Sequence, residues 1–156
     1  MADQPAVDAA HPPELLLRIV NPTLKFALRT PLGRLIGDFM LVSFTGRKTG
    51  RRYATPVSAH HLDGALYVLL EAQWKHNFRD GADAQVSYRG RTTTMRGELI
   101  DEPAAVAALA ERIATSYGPK KAQRQMGLTF GGDRLPTIAQ WETAAREMKL
   151  AVIKLS

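Results

Sequence analysis

The stretch 39–58, FMLVSFTGRKTGRRYATPVS, places two apolar segments on either side of a short basic turn. The first segment, 39–45, is rich in residues that favour strands and is predicted to be one. Glycines at both ends of the turn allow the left-handed backbone that a tight turn needs. A second strand is predicted over 51–62, and Pro56 restricts it to a sheet edge or a bulge because proline has no amide hydrogen to donate. The stretch therefore predicts an antiparallel hairpin.

Two further hairpins are predicted downstream. Asp63-Gly64 is a dipeptide typical of tight hairpin turns, and it leads into an apolar strand over 65–72. Another hairpin is predicted over 84–101, turning at Arg89-Gly90. Between the two, 73–82 is predicted to be a short helix or an irregular crossing.

The last third of the chain is predicted to be helical, with one closing strand. Pro103 opens an alanine-rich helix that Gly118 ends. A further helix is predicted over 135–148 and a strand over 149–156, whereas 120–132 has no clear pattern.

The count of elements indicates the fold class. About six strands, mostly in antiparallel hairpins, and three or four helices are predicted, including a basic helix pair over 14–36. No repeated βαβ pattern occurs. We expect an α+β fold, mainly antiparallel, in which a small curved sheet or barrel carries N-terminal and C-terminal helices. A flexible arm over 1–13, Pro-rich and acidic, is expected to precede a single domain over 14–156.

Composition narrows the class of partner. The chain has no cysteine, which excludes disulfides, thiolate metal sites and a cysteine nucleophile. A net charge of +6 and a pI near 9.9 predict attraction to nucleic acid, acidic membrane or a phosphorylated small molecule. No apolar run approaches the ~20 residues of a membrane span, and the N-terminus lacks the pattern of a secretory signal. We expect a cytoplasmic protein, with the helix pair 14–36 as the candidate for peripheral contact with the inner face of the membrane.

The turn itself concentrates positive charge. Arg47, Lys48, Arg51 and Arg52 lie close together in it. Guanidinium forks bind phosphate or carboxylate, and consecutive amide groups of such a turn can form an anion-binding nest. The pattern is not a Walker A loop, because the lysine precedes the second glycine. A site for a phosphate or a polycarboxylate is predicted, with a solvated basic loop as the alternative.

Several features together resemble the deazaflavin-dependent nitroreductase family, the actinobacterial reductases that use coenzyme F420. They are the run LVSFTGRKTGRRYATPV, the Asp-Gly hairpin, the apolar strand after it and a Trp-x-x-Asn element, all within 38–101. The resemblance implies a split β-barrel related to the flavin-binding barrels. It also implies an oxidoreductase that transfers a hydride from the reduced coenzyme to a small-molecule acceptor: an enone, a quinone or a nitro compound.

The resemblance assigns the basic turn to the anionic end of the coenzyme. Arg47, Lys48 and Thr49 would hold its phosphate and its acidic lactyl-oligoglutamate tail, joined by Arg51 or Arg52. FMN is the runner-up cofactor, but it has one phosphate and no glutamate tail and so needs fewer cations.

The resemblance also implies contacts with the deazaflavin ring. Pro56 and Val57 would lie beneath the ring, and Trp74 and Asn77 beside it. Tyr117 matches the family's substrate-side tyrosines and is the candidate proton donor. The alternatives are a tyrosine that packs on the core at a helix end and a proton supplied by solvent.

Other classes of function stay open. The family's glycine-rich loop after the third strand is absent, which leaves an F420- or FMN-binding protein with little or no turnover as one alternative. A nucleic-acid-binding barrel is another, although Tyr53, Tyr67 and Tyr88 lie among apolar residues and are predicted to be core rather than base-stacking. No metal site is expected, because His60 and His61 are adjacent in a strand and point to opposite faces. A homodimer is a family expectation.

Overall fold

The computed structural model describes residues 6–9, 25–30, 33 and 37–156. Contacts divide the chain into two compact units. The sheet unit comprises Pro12–Val68, Gln73–Leu99 and Lys154–Ser156. The helical unit comprises Met1–His11, Leu69–Ala72 and Ile100–Ile153.

Nine strands occur in the described residues, against about six expected from the pattern. They are β1 (Val7–Ala9), β2 (Phe39–Thr45), β3 (Arg52–Ser58), β4 (His60–Leu62), β5 (Ala65–Leu70), β6 (Ala82–Tyr88), β7 (Arg91–Ile100), β8 (Leu128–Phe130) and β9 (Ala151–Leu155). Seven of them form one sheet in the order β3-β2-β6-β7-β9-β5-β4, and β1 pairs with β8. The large sheet is antiparallel and curled into a half-barrel, which, together with the helices, confirms the predicted α+β class.

The β2–β3 hairpin forms as the sequence predicts. Its register is continuous from Phe39 opposite Ser58 to Thr45 opposite Arg52, without a bulge. β3 is an edge strand of the sheet, so the prediction drawn from Pro56 is confirmed.

The prediction of one strand over 51–62 is wrong. The strand breaks at Ala59, whose amide donates a hydrogen bond to the Asp38 carbonyl at 2.9 Å. After this residue the chain begins β4, which pairs with β5 at the opposite edge of the sheet. The two parts of the stretch pair with different strands, β3 with β2 and β4 with β5, so the residues of 51–62 alone do not indicate the break.

The predicted hairpin turns are confirmed. Asp63 and Gly64 have φ angles of 51° and 81°, and Arg89 and Gly90 have 51° and 80°. Two successive positive φ values characterise the turn that matches the right-handed twist of its strands. The segment 73–82, left open between a helix and an irregular crossing, contains the 3-10 helix Gln73–Phe78.

Three of the helical segments occupy regions predicted to be helical, with small shifts at their ends, whereas the one over Pro119–Met126 falls in the stretch 120–132, which had no clear pattern. The segments are α1 (residues 25–29), α2 (Pro103–Tyr117), α3 (Pro119–Met126) and α4 (Ile138–Glu147). The Glu102 carboxylate caps the start of α2 by accepting from two backbone amides, and Gly118 ends it. α4 begins later than predicted because Thr137 and Gln140 form a reciprocal capping box there.

The helical unit packs α2 against α3 and α4. Small residues of α2 make the contact close: Ala107 and Ala110 are fully buried. Trp141 of α4 is also buried, and its ring meets Phe130 edge to face at 5.6 Å between centroids. The hydrophobic effect at these contacts therefore supplies this unit with a core of its own.

The predicted flexible arm, 1–13, contains a strand. Within it the structure describes residues 6–9, of which Val7–Ala9 pair antiparallel with β8, and the rest of the arm lies outside the described residues. Val7 is buried and pairs with Phe130, so burial of an apolar side chain explains the order at this position. The acidic and Pro-rich composition did not indicate it.

Most of the predicted helix pair 14–36 lies outside the described residues. Within it the structure describes 25–30 and Gly33, and 25–29 are helical. Among the described helices, none combines the length and apolar character that crossing a membrane requires.

Candidate functional site

A cleft of about 650 Å³ opens beside the basic turn, within the sheet unit. The turn (residues 46–50) and the 3-10 helix Gln73–Phe78 contribute its lining, together with the end of the β2–β3 hairpin. Three aromatic rings line it, those of Phe44, Tyr53 and Trp74, alongside the cations Arg47 and Lys48. The volume falls within the range of pockets that hold small molecules, about 300–1,000 Å³.

Internal hydrogen bonds fix the shape of the basic turn. The Gly46 amide donates to the Arg51 carbonyl at 2.8 Å, and the Gly50 amide donates to the Gly46 carbonyl at 2.9 Å. Gly50 has a φ of 69°, the left-handed conformation expected of a turn glycine. At Gly46 a Cβ would lie 2.7 Å from the Tyr53 ring, so the close approach of this ring requires glycine.

Four amides of the basic turn bond to protein acceptors. The amides of Gly46 and Gly50 are engaged as described, the Arg51 amide donates to Thr49 Oγ1 at 3.2 Å, and the Arg47 amide donates to Asn77 Oδ1 at 2.9 Å. Amides that already bond to protein acceptors do not point at a ligand. These four amides therefore add nothing to an anion nest, and for the rest of the turn the nest stays a prediction.

Asn77 connects the basic turn to Trp74 of the 3-10 helix. Its carboxamide oxygen accepts from the Arg47 amide, and its Nδ2 donates to the Trp74 carbonyl at 2.8 Å. An asparagine side chain has both an acceptor and donors, so it can bridge the two segments in this way. The Trp-x-x-Asn spacing thus has a structural role that the sequence did not indicate.

Aromatic rings form a stacked layer at the cleft. The Phe44 ring stacks on Trp74 at 5.3 Å and on Tyr53 at 5.7 Å between centroids. Phe78, which is fully buried, meets Phe44 and Trp74 edge to face. A Cβ at Gly97 of β7 would lie 2.4 Å from the Phe78 ring, so glycine at this position leaves the space that the layer needs.

The cleft is electropositive. Arg47 and Lys48 are exposed, and among the described residues no carboxylate contributes to the lining. The Arg47 guanidinium reaches the His76 carbonyl at 3.4 Å, and Arg79 lies 3.3 Å from His76 Nδ1. A lining with the cations Arg47 and Lys48 and, among the described residues, no carboxylate favours an anionic ligand.

Five of the nine predicted cofactor residues line this cleft: Arg47, Lys48, Thr49, Trp74 and Asn77. The other four, Arg51, Arg52, Pro56 and Val57, lie outside its lining.

Pro56 and Val57 point to opposite faces of β3. Val57 pairs with Met40 and shares the face of Phe44, whereas Pro56 pairs with Leu41 on the other face. Of the two side chains, only that of Val57 lies on the face that carries the cleft.

Tyr117 is the last residue of α2 and belongs to the helical unit. The Lys121 ammonium lies 5.6 Å from the centroid of its ring. Its role as a proton donor stays a prediction.

The sequence missed several residues of the cleft. Tyr53 was predicted to be core but is 42% exposed and lines the cleft, whereas Tyr67 is buried as predicted. The position of Tyr53 in a predicted edge strand was the available signal, because an edge strand has a neighbour on one side only and its side chains are more exposed to solvent. Phe44 was also missed and lines the cleft, as does His76, which the sequence places within the Trp-x-x-Asn element.

The adjacent histidines differ as their alternation in a strand predicts. His60 is 2% exposed, and His61 is exposed. Burial lowers the pKa of His60 from 6.5 to about 4, because the interior disfavours the charged imidazolium. Among the described residues, no three His, Asp or Glu side chains are grouped so as to hold a metal ion.

No family model and no curated protein matches this chain. Three solved structures are similar at low identity. One is described as a domain-swapped dimer, with 12% identity, 76% of this chain and 80% of that chain covered, and a TM-score of 0.46. A conserved hypothetical protein, Rv2991 of Mycobacterium tuberculosis, has 11% identity, coverage of 80% and 77%, and a TM-score of 0.45. One named F420 reductase has 12% identity, coverage of 84% and 90%, and a TM-score of 0.41. Such values assign the chain to no family.

Proposed function

We propose that the cleft beside the basic turn binds coenzyme F420, and that the protein is an oxidoreductase transferring a hydride to an activated acceptor. The acceptor class is an enone, a quinone or a nitro compound. One observation carries the proposal: two exposed cations and a stacked aromatic layer line a single cleft whose described lining contains no carboxylate. An anionic ligand with a flat ring system fits this combination.

The donor set suits the coenzyme. The Arg47 guanidinium and the Lys48 ammonium would hold phosphate and carboxylate groups, with the Thr49 hydroxyl as a further donor. Trp74 and Tyr53 would offer ring faces to the deazaflavin. FMN would use the aromatic layer equally well, but it would leave part of the positive charge without a partner.

In this proposal the chain supplies orientation and charge. When bound, the reduced coenzyme supplies the hydride from its C5 position. Arg47 and Lys48 hold the anionic end, while Asn77 keeps the basic turn against the Trp74 segment and so fixes the distance between anion and ring subsites. A proton for the product comes from solvent or from Tyr117, as predicted from the sequence.

A fluorescence titration with oxidised coenzyme F420 tests binding. The double variant Arg47→Ala/Lys48→Ala is expected to bind about ten to a hundred times more weakly, because it loses the charge-assisted contacts. A matched control, Lys120→Ala/Arg124→Ala, removes the same charge from exposed positions of α3 and should retain the wild-type affinity. FMN serves as the competitor.

Absence of binding to the wild type would refute the proposal, and equal weakening in the control would reduce it to non-specific charge attraction. Reduced coenzyme is then mixed with a panel of quinones, enones and nitro compounds, and its oxidation is followed. Tight binding without oxidation by any acceptor would restrict the function to coenzyme binding.

A further inference from the structure

A second cleft, of about 310 Å³, lies on the opposite face of the same hairpin, within the sheet unit. Ser43 pairs with Gln85 across β2 and β6, and Thr45 pairs with Arg52 across β2 and β3. Paired residues of neighbouring strands share one face of a sheet, so these side chains lie together. Phe44, between Ser43 and Thr45, points to the face of the first cleft.

The Arg52 guanidinium is held in place by neutral groups. It donates to Thr45 Oγ1 at 3.2 Å and to Gln85 Oε1 at 3.1 Å. Neither acceptor carries a charge, and among the described residues no carboxylate lines the cleft. The guanidinium is therefore oriented without being neutralised.

Hydroxyl groups line the cleft beside this guanidinium. Ser87 is only 4% exposed, and its Oγ lies 2.8 Å from Thr92 Oγ1, its cross-strand neighbour. Two hydroxyls that share one hydrogen bond keep a second O–H to donate. The pair can thus donate to an acceptor placed in the cleft while each oxygen stays satisfied.

Arg29 of α1 brings a second guanidinium to the cleft. Gly33, just after α1, approaches the turn of the β6–β7 hairpin so closely that a Cβ there would lie 3.1 Å from the Gly90 amide nitrogen. Leu28 of α1 is buried. The approach of Gly33 holds the end of α1 against the β6–β7 hairpin, and Arg29 lies beside the polar face.

Polar side chains on one face of an antiparallel sheet are ordinary where that face meets water. This face differs because Ser87 is buried, Ser43 is half-buried, and two guanidinium groups meet there without a carboxylate. We propose that the cleft formed by Arg29, Ser43, Arg52, Gln85, Ser87 and Thr92 is a second oxyanion site, which takes a carboxylate or a phosphate group. Forked guanidinium donors together with hydroxyls match the planar or tetrahedral arrangement of such oxygens.

Two kinds of ligand would bring a carboxylate or a phosphate group to this cleft. One is a free small anion, and the other is the acidic end of a ligand whose ring lies in the first cleft. Tyr53 lines both clefts, so they adjoin at the edge strand β3. The site does not depend on the function proposed above, although the second source does.

The test is an NMR titration of the whole protein with inorganic phosphate and, separately, with a glutamate tripeptide at constant ionic strength. The Nε–H signal of Arg52 in the wild type, and the backbone amide signal of Ser87 in the wild type and in each variant, are expected to shift on saturation. Arg52→Gln is expected to lower the affinity about tenfold, as the loss of charge-assisted hydrogen bonds predicts. Arg29→Gln should lower it in the same direction. Arg91→Gln is the matched control, since Arg91 is an exposed arginine of the same sheet outside both clefts.

A saturable shift of the Ser87 amide whose affinity falls in Arg52→Gln and not in Arg91→Gln supports the site. Equal affinity in Arg52→Gln and the wild type, or equal loss in Arg91→Gln, overturns it. The source then follows from adding coenzyme F420 to the phosphate complex: displacement of phosphate identifies the acidic tail of the coenzyme, and retention identifies a free anion. Because the phosphate titration contains no coenzyme, failure of the first cleft to bind F420 leaves this result readable.

Discussion

Strands β3 and β4 are separated by one residue, Ala59, yet they form opposite edges of the same sheet. Every residue of β3 is at least partly exposed, and side chains of this edge line both clefts. β4, by contrast, begins with a buried imidazole, that of His60. The two edges thus differ in exposure: β3 contributes side chains to the lining of two clefts, whereas β4 encloses a titratable ring, which makes stability sensitive to pH.

The largest expected effect is the pH dependence of the unfolding free energy that His60 of strand β4 causes. The pKa of His60 is about 4 in the folded protein and 6.5 when the chain is unfolded, so between these values the unfolded state binds more protons. Stability therefore falls as the pH drops through this window, by about 3 kcal/mol in total, and His60 adds no further change below it. Urea unfolding measured from pH 7 to pH 4 (a range set by the pKa values) checks this.

Replacement of His60 separates its contribution from that of the carboxyl groups. His60→Leu is expected to flatten the pH dependence of the unfolding free energy, whatever its effect at neutral pH. His61→Leu is the matched control and should retain the wild-type slope, because His61 is exposed. An unchanged slope in His60→Leu would contradict the idea that this edge is the pH-sensitive one.

The next effect concerns the aromatic layer, which includes Tyr53 of the edge strand β3. Gly97→Ala places a Cβ against the Phe78 ring and is expected to cost about 2 kcal/mol of stability, as overpacking of a core does. It should also weaken ligand binding in the first cleft, because Phe78 contacts both Phe44 and Trp74. Urea unfolding and the coenzyme titration are the two measurements.

Thr94→Ala is the control for Gly97→Ala, since Thr94 is an exposed residue of the same strand. It is expected to change stability by less than about 0.5 kcal/mol. If Gly97→Ala were equally mild, the aromatic layer would not depend on the space that glycine leaves.

The smallest effect concerns Asn77, which links the basic turn to the segment that carries Trp74. Asn77→Ala removes the bonds to the Arg47 amide and the Trp74 carbonyl and is expected to cost about 1 kcal/mol. Asn77→Asp keeps the acceptor for Arg47 and loses only the donor, so its thermal midpoint should lie between those of the wild type and Asn77→Ala. A midpoint of Asn77→Asp below that of Asn77→Ala would show that the bond to Arg47 is not the stabilising one.

Elements with local signals were predictable from the sequence. Strand 39–45, the turns at Asp63-Gly64 and Arg89-Gly90, and the helix that begins at Pro103 all follow from a few neighbouring residues, and all are confirmed. Strand-forming side chains, dipeptides that adopt positive φ and prolines at helix starts determine the backbone conformation of only a few neighbouring residues. That range is short enough for sequence patterns to capture.

Features that depend on distant partners were not predictable. The break at Ala59 separates a strand that pairs with β2 from one that pairs with β5, and the strand at Val7 forms by pairing with Phe130. The basic turn was recognised from its charges, but the sequence did not show that the Arg47 amide bonds to Asn77, thirty positions away. Sequence alone thus gave the type of ligand group expected at the turn and not the way in which the turn is held.

The position of β9 in the sheet has a consequence for synthesis of the chain. β9 (Ala151–Leu155) lies between β7 and β5, although helices α2, α3 and α4 are made after those strands and before it. A growing chain on the ribosome therefore holds β5 and β7 with unpaired edges until β9 emerges. Non-local pairing of this kind slows folding and leaves partly made chains open to association. We expect nascent chains that stop before Ala151 to need chaperone protection.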